Sequence, residues 1–302
     1  TMIRQMITHD DITQLPKIRF TGFSDIRQMP GAELIEALAD SYHHVGLDDT
    51  IVVTRSNKRA NIFNQGIRNM VLDREEELSQ GDILMIVKNN YYWMEEERKK
   101  LSEERRVKSE ETEFGGRRES QFNCLANHKV QSSNLKVPSN DIPAFLANGD
   151  RAKVLKVRRR IDLYGFRFAT LLLQFPDYGN YELEAAVLLD TLTSEAPALT
   201  HEQQEQLFHQ IEEDYQDVPL KADRMKAIRQ DQFYNALQVK FAYAVTCHKA
   251  QGGQWAHVYV DQGYMTDDML TPDYIHWLYT AFTRATEMLY LVNWPETQIE
   301  TS

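Results

Sequence analysis

The sequence predicts an α/β protein: a parallel-sheet domain interrupted by a β-rich insertion. Three stretches carry that expectation. IVVT, residues 51–54, precedes a helical pattern with apolar Ala60, Phe63, Ile67 and Met70 or Val71, which is a strand-then-helix unit. After Gly81 and Asp82 the texture changes to short strands parted by turn residues: RAKVLKVR from Arg151, YGFRFATLLLQF from Tyr164 and YELEAAVLL from Tyr181. At FAYAV, residues 241–245, a buried strand returns. The expected organisation is a discontinuous host, residues 1–82 with 238–302, carrying an inserted domain, residues 83–237, that contains a small β-barrel.

The elements follow in order. The chain opens TMIRQMI, a helical pattern without a start signal, so a piece of a longer protein is expected. GAELIEALADSYHHV, residues 31–45, repeats the helical period, and Ser56 or Asn57 caps the helix after IVVT. ILMIV, from Ile83, is a strand that leads to Tyr91, Tyr92 and Trp93. From Glu95 to Glu111 only Leu101, Ser102, Val107 and Ser109 carry no charge. Opposite charges four apart (Glu95 and Lys99, Glu96 and Lys100, Glu104 and Lys108) support an exposed helix. Residues 112–140 show no period and read as loop; residues 201–217 and 221–237 read as two polar-faced helices.

Composition narrows the function. The longest apolar runs, such as AVLL before Asp190, fall far short of the roughly 20 residues that span a bilayer, so no membrane partner is expected and the expected location is the cytoplasm. A net charge of -11 argues against a nonspecific nucleic-acid coat while leaving room for a local basic groove. Cys124 and Cys247 cannot build a disulfide framework, and Cys124 with His128 offers two ligands where a structural zinc needs four, so no metal site is expected.

Two C-terminal segments carry candidate chemistry. In FAYAVTCHKAQGGQW, residues 241–255, an apolar strand ends in Thr246, His248, Lys249 and Gln251 before Gly252 and Gly253. Ligands bind at strand ends of open α/β sheets, and glycines there let backbone amides approach a phosphate. An exposed His-Lys pair before a glycine turn is also ordinary surface. In TPDYIHWLYTAFTRATEMLYLVNW, residues 271–294, Thr271 caps, Pro272 starts and Asp273 suits a helix running to about Thr286. Thr280 and Arg284 then share a face, a guanidinium one turn above a hydroxyl; alternatively Arg284 pairs with Glu287.

Together with TRSNKRANIFNQGIR, residues 54–68, these segments resemble the second RecA-like domain of superfamily 1 DNA helicases of the RecD and Dda type. TCHKAQGGQW is similar to that family's motif V, and LYTAFTRA, residues 278–285, to its motif VI. QGDILMIVKNNYYW and FLANGDRAKVLKV resemble the edges of its inserted barrel, which is like a Src-homology-3 domain.

The resemblance implies an ATP-dependent helicase that moves 5′ to 3′ on single-stranded DNA and opens duplex junctions, with ATP and Mg2+ bound mainly by a first RecA-like domain. Arg284 would reach the γ-phosphate; Gln251, Gly252 and Gln254 would lie near the nucleotide. Thr246, His248 and Lys249 would meet the strand backbone, with Ser56, Asn57, Lys58 and Thr280 as further contacts. The family often has Glu where Gln254 stands. The barrel would wall the strand channel, and Tyr91, Tyr92 or Trp93 would serve as stacking platforms or as barrel core. No GxxxxGK[ST] cradle occurs in the sequence, so the fragment is expected to be inactive alone. Two other readings stand beside this one. A nuclease would use Asp177, Glu182 and Glu184, although the lysine expected after the acid is absent; a binding module would only dock a partner.

Overall fold

The computed structural model describes residues 3, 4, 7, 16–115, 143–266, 269 and 271–300, and their side chains except those of 107–115. Thirteen-residue and shorter strands form two separate sheets. The first contains β1 (Ile26–Met29), β2 (Thr50–Thr54), β8 (Ala244–Thr246), β9 (Trp255–Asp261) and β10 (Ala285–Val292), in the order β1-β10-β9-β2-β8, with every pairing parallel. All five residues of β2 are buried, as a strand covered by helices on both faces requires. Those helices are α1 (Leu34–His44), α2 (Asn57–Gly66, continued by a π turn, Ile67–Val71) and α6 (Pro272–Phe282).

The second sheet is a closed barrel of β3 (Ile83–Ile86), β4 (Arg151–Leu163), β5 (Phe166–Phe175), β6 (Tyr181–Leu188) and β7 (Leu237–Phe241). Leu84, Val154, Leu171, Leu173, Val187 and Val239 are wholly enclosed in it. Between its strands lie α3 (Tyr92–Gly115), α4 (His201–Asp214) and α5 (Lys221–Arg229). The architecture is the expected one, a parallel α/β sheet interrupted by a small barrel.

Several local expectations need correction. FAYAV is not one strand: Phe241 closes the barrel opposite Leu84, and Ala244 opens β8 opposite Val52. Only Ala242 and Tyr243 lie between the two sheets, so the barrel keeps its last strand to residue 241. α5 stops at Arg229 rather than 237 because the Asp231 carboxylate accepts from the amides of Phe233 (2.7 Å) and Tyr234 (2.9 Å), which takes those donors out of a helical ladder. On α3 the ion pairs run three apart, Lys99 to Glu96 at 2.7 Å and Lys100 to Glu97 at 2.8 Å, since positions three and four apart are both neighbours on a helix. The Lys108 side chain, Cys124 and His128 lie outside the described residues, as do residues 116–140 of the expected loop; residues 112–115 are helical. At the start of the chain only Ile3, Arg4 and Ile7 of the expected helix are described, and they are helical.

The chain crosses from host to barrel at Asp82 and returns at Tyr243, and the two crossings are bonded to each other. Asp82 is fully buried and receives the Arg68 guanidinium twice (3.2 and 3.1 Å), Arg74 Nη1 (2.8 Å), the Ser79 amide (2.7 Å) and the Tyr243 hydroxyl (2.8 Å). That hydroxyl in turn accepts from Arg74 Nη1 (2.6 Å) and the Ile83 amide (3.2 Å). Arg68, 1% exposed, also lies over the Phe241 ring at 4.4 Å. A buried ion pair is costly to form, yet removing one partner strands the other charge at about 3–5 kcal/mol. Asp82→Ala is therefore expected to destabilise the chain by about that amount, and Tyr243→Phe by about 1.5–3 kcal/mol, the scale of a hydrogen bond to a charged group. Urea denaturation followed by far-ultraviolet circular dichroism reads both; equal, sub-kilocalorie losses would contradict the assignment.

Candidate functional site

The expected site residues divide between the two ends of the parallel sheet. At the carboxyl end, Thr54 stands opposite both Thr246 and Asp261. Ser56 caps α2, its hydroxyl accepting from the Arg59 amide at 3.2 Å, which leaves the hydroxyl proton free to donate. Arg59 grips Asp261 through two bonds, 2.8 and 2.6 Å, tying α2 to the end of β9. Asn57 is half-buried in the first turn, and Lys58 is exposed, 3.8 Å from Glu195, a contact worth little in water.

From Thr246 the chain must return to the amino end before β9 can start, because β8 and β9 run parallel on either side of β2. Between the levels of Thr54 and Thr50 a strand rises about 13 Å. Residues 247–254 cover that distance as successive turns: the Thr246 carbonyl accepts from the amides of Lys249 (2.8 Å) and Ala250 (3.1 Å), and the Ala250 carbonyl accepts from Gly253 (3.2 Å). His248, Gln251, Gly252 and Gln254 are exposed along this crossing, and Lys249 and Thr246 are half-buried. Gly252 has φ +85, a left-handed turn position. At Gly253 a Cβ would stand 2.3 Å from the Trp255 ring, so the backbone rests directly on the indole.

Arg284 docks on this turn. Its Nη1 donates to the Gly253 carbonyl (2.9 Å), Nε to the Thr280 carbonyl (3.0 Å) and Nη2 to the Thr283 hydroxyl (3.1 Å). Among the described residues no carboxylate pairs with it, Glu287 included, so the pairing alternative does not hold. The helix ends at Phe282 and not near Thr286. Thr283 Oγ1 donates to the carbonyls of Tyr279 (2.9 Å) and Thr280 (3.1 Å), and Arg284 takes the latter too, so the last turn's acceptors are satisfied by side chains. Thr280 thus meets Arg284 through its carbonyl rather than its hydroxyl.

Two clefts flank the crossing. One, about 450 Å³, lies along α6 and is bounded by Arg55, His248, Gln251, Trp277 and Thr280. The other, about 650 Å³, lies between the crossing and the barrel; Asn148, Arg151 and Asp177 come from the barrel side, and Lys249, Gln251 and Trp255 from the sheet side. Burial pulls the Lys249 amine below its ordinary value and pushes the Cys247 thiol up to about 11, so that thiol is protonated at neutral pH and unsuited to metal binding or attack. Among the described residues there is no group of three His, Cys, Asp or Glu placed to hold a metal ion. Glu184 pairs with Arg158 at 2.6 Å.

The aromatic trio separates. Trp93 is buried, with Nε1 donating to the Asn235 carbonyl at 2.9 Å, so it is core and not a platform. Tyr92 is half-buried, and Tyr91 is exposed and stacked on Phe145, centroids 4.8 Å apart. Sequence reasoning missed Arg151, Asn148 and Arg55. The first two sit in FLANGDRAKVLKV, whose pattern marks only a barrel edge, and nothing local says that the barrel shares a cleft with Lys249.

Residues 241–292 match the model of the UvrD-like helicase C-terminal domain, a span that holds both the glycine turn and Arg284. No curated protein matches the chain. Among solved structures, the Pif1 helicase from Candida albicans aligns at 13% identity and a TM-score of 0.27, over 99% of this chain and 51% of that one. The chain spans about half the length of the structure it aligns with. The C-terminal stretch of this chain is therefore similar to a helicase C-terminal domain.

Proposed function

We propose that this chain is the second RecA-like motor domain, with its inserted barrel, of an ATP-dependent DNA helicase resembling the RecD and Dda type. Arg284 carries the reading: a half-buried guanidinium without a carboxylate partner among the described residues, bonded to the glycine turn inside the matched stretch. A cation held only by carbonyls and a hydroxyl keeps its charge uncompensated, and a phosphate oxygen is a stronger acceptor than any of the three. These residues fit a nucleotide phosphate; Gln251, Gly252 and Gln254, exposed beside Arg284, would line the same side.

In this reading a first RecA-like domain supplies the phosphate cradle and holds ATP and Mg2+, and closure of the two domains brings Arg284 to the γ-phosphate, where it stabilises developing charge. Thr246, His248 and Lys249 hold the strand backbone near the carboxyl end of the sheet, with Ser56, Asn57, Lys58 and Thr280 around them. Grip and release during ATP turnover then move single-stranded DNA, 5′ to 3′ by family likeness, through duplex junctions in cytoplasmic repair or recombination. The motor part comprises residues 1–82 and the segment from Tyr243 onward, and the chain by itself turns over no ATP.

The direct test is DNA-stimulated ATP hydrolysis by a motor assembled with a domain carrying a GKT-type loop. Arg284→Ala is expected to lower turnover by about 10³–10⁵ while binding of a nonhydrolysable ATP analogue falls far less. Turnover near the parent rate would reduce Arg284 to a clamp on the Gly253 carbonyl and remove the reading's main support.

A further inference from the structure

The cleft of about 650 Å³ between the barrel and the crossing at 247–254 is lined by a cation from each side, Arg151 from the barrel and Lys249 from the crossing. Lys249, half-buried, reaches across it to hydrogen-bond Asn148 Oδ1, and among the described residues no carboxylate pairs with its amine. Burial already disfavours the charged form of that amine. Arg151, the first residue of β4, lines the same cleft from the barrel. Its Nη1 and Nη2 hold the carbonyl (3.0 Å) and Oδ1 (3.2 Å) of Asp48, and its enclosed Nε has no partner. Asp48 is 62% exposed, so this ion pair is screened by water and easily exchanged. The cleft's own carboxylate is the exposed Asp177, which is engaged in no ion pair among the described residues, and His248 is exposed at the rim.

An apolar occupant would leave the Lys249 amine without a counter-charge and the enclosed Arg151 Nε without an acceptor, and a cation would add to their charge. A compact anion with several acceptor oxygens satisfies both at once. We propose that this cleft is a phosphate-binding subsite in which Arg151 of the barrel and Lys249 of the sheet-side crossing grip one phosphate group between them. The proposal rests on the reading of Lys249 as a phosphate contact and extends it to the barrel. The phosphate belongs to a nucleic-acid strand or to a free nucleotide. A strand is favoured by Tyr91, whose exposed ring is stacked on Phe145 beside the Asn90–Leu146 bridge that leads to Asn148, a face for a neighbouring base. One cation stands on the barrel and the other on the crossing between two strands of the parallel sheet, so the grip also requires barrel and sheet to keep their relation.

Anisotropy titrations of the 302-residue chain with a labelled oligothymidylate and with a fluorescent ATP analogue, across a salt series, test this. Arg151→Gln and Lys249→Gln are each expected to weaken oligothymidylate binding about 10-fold, the scale of one charge-assisted contact, and to reduce the salt slope by about 0.7. Asp48→Asn removes the same ion pair from its other side and is expected to leave affinity and slope at parent values. If Asp48→Asn reproduces Arg151→Gln, or if the slope does not move, Arg151 is structural and the subsite is overturned. An effect of Lys249→Gln alone overturns the barrel's share and leaves Lys249 as a strand contact; no effect of either overturns both readings. Losses confined to the ATP analogue keep the subsite and identify its phosphate as the nucleotide's. A parent chain that binds neither probe overturns the proposal.

Discussion

A single carboxylate, Asp82, sets the relation between the two sheets. It sits on the outward crossing, and Tyr243, on the return crossing, donates to it. Arg68 and Arg74 neutralise it from the host side. Arg68, Arg74, Ser79 and Tyr243 all donate to this one buried acceptor, and the Tyr243 hydroxyl in turn accepts from the amide of Ile83, the first barrel residue, so the two crossings are bonded to each other where the barrel begins. Burial pushes the Tyr243 hydroxyl well above the ordinary tyrosine range, so it remains a donor to Asp82 at all physiological pH.

The same constraint explains the form of the site. Two parallel strands on either side of β2 force the chain from one end of the sheet to the other within residues 247–254, and the chain does so over the barrel-facing surface. Side chains on that crossing therefore meet three environments in order: strand ends near Thr246, the barrel at Lys249, and the turn that holds Arg284 at Gly253. The turn approaches the Trp255 indole more closely than any side chain would permit, which is why a glycine stands there. The crossing that carries Lys249 and the Arg284 guanidinium are thus mechanically linked through one carbonyl.

Much of this was legible in the sequence. The burial of IVVT, a cap at Ser56 or Asn57 and the cap at Thr271 follow from local periodicity and local hydrogen bonding; the strand begins one residue earlier, at Thr50, and Ser56 is the cap. The helix end at Phe282 and the split of FAYAV were not legible: the first is decided by the Thr283 and Arg284 side chains that take the last-turn carbonyls, the second by Asp82, distant in sequence from Tyr243. Ordinary helix signals continue through Thr286, and an apolar run gives no sign that its two halves serve different sheets. The barrel's contribution to the cleft was hidden for the same reason. Arg151 and Lys249 are separated by most of the insertion, and the closed barrel brings them to the same cleft.

The central claim, that sheet-side crossing and barrel act together on one ligand, is tested most directly by hydrogen–deuterium exchange of the chain with and without saturating oligothymidylate. The account predicts that amides of residues 246–254 and 148–151 gain protection together, at the same ligand concentration. Protection confined to residues 246–254, with 148–151 exchanging as in the free chain, would contradict it.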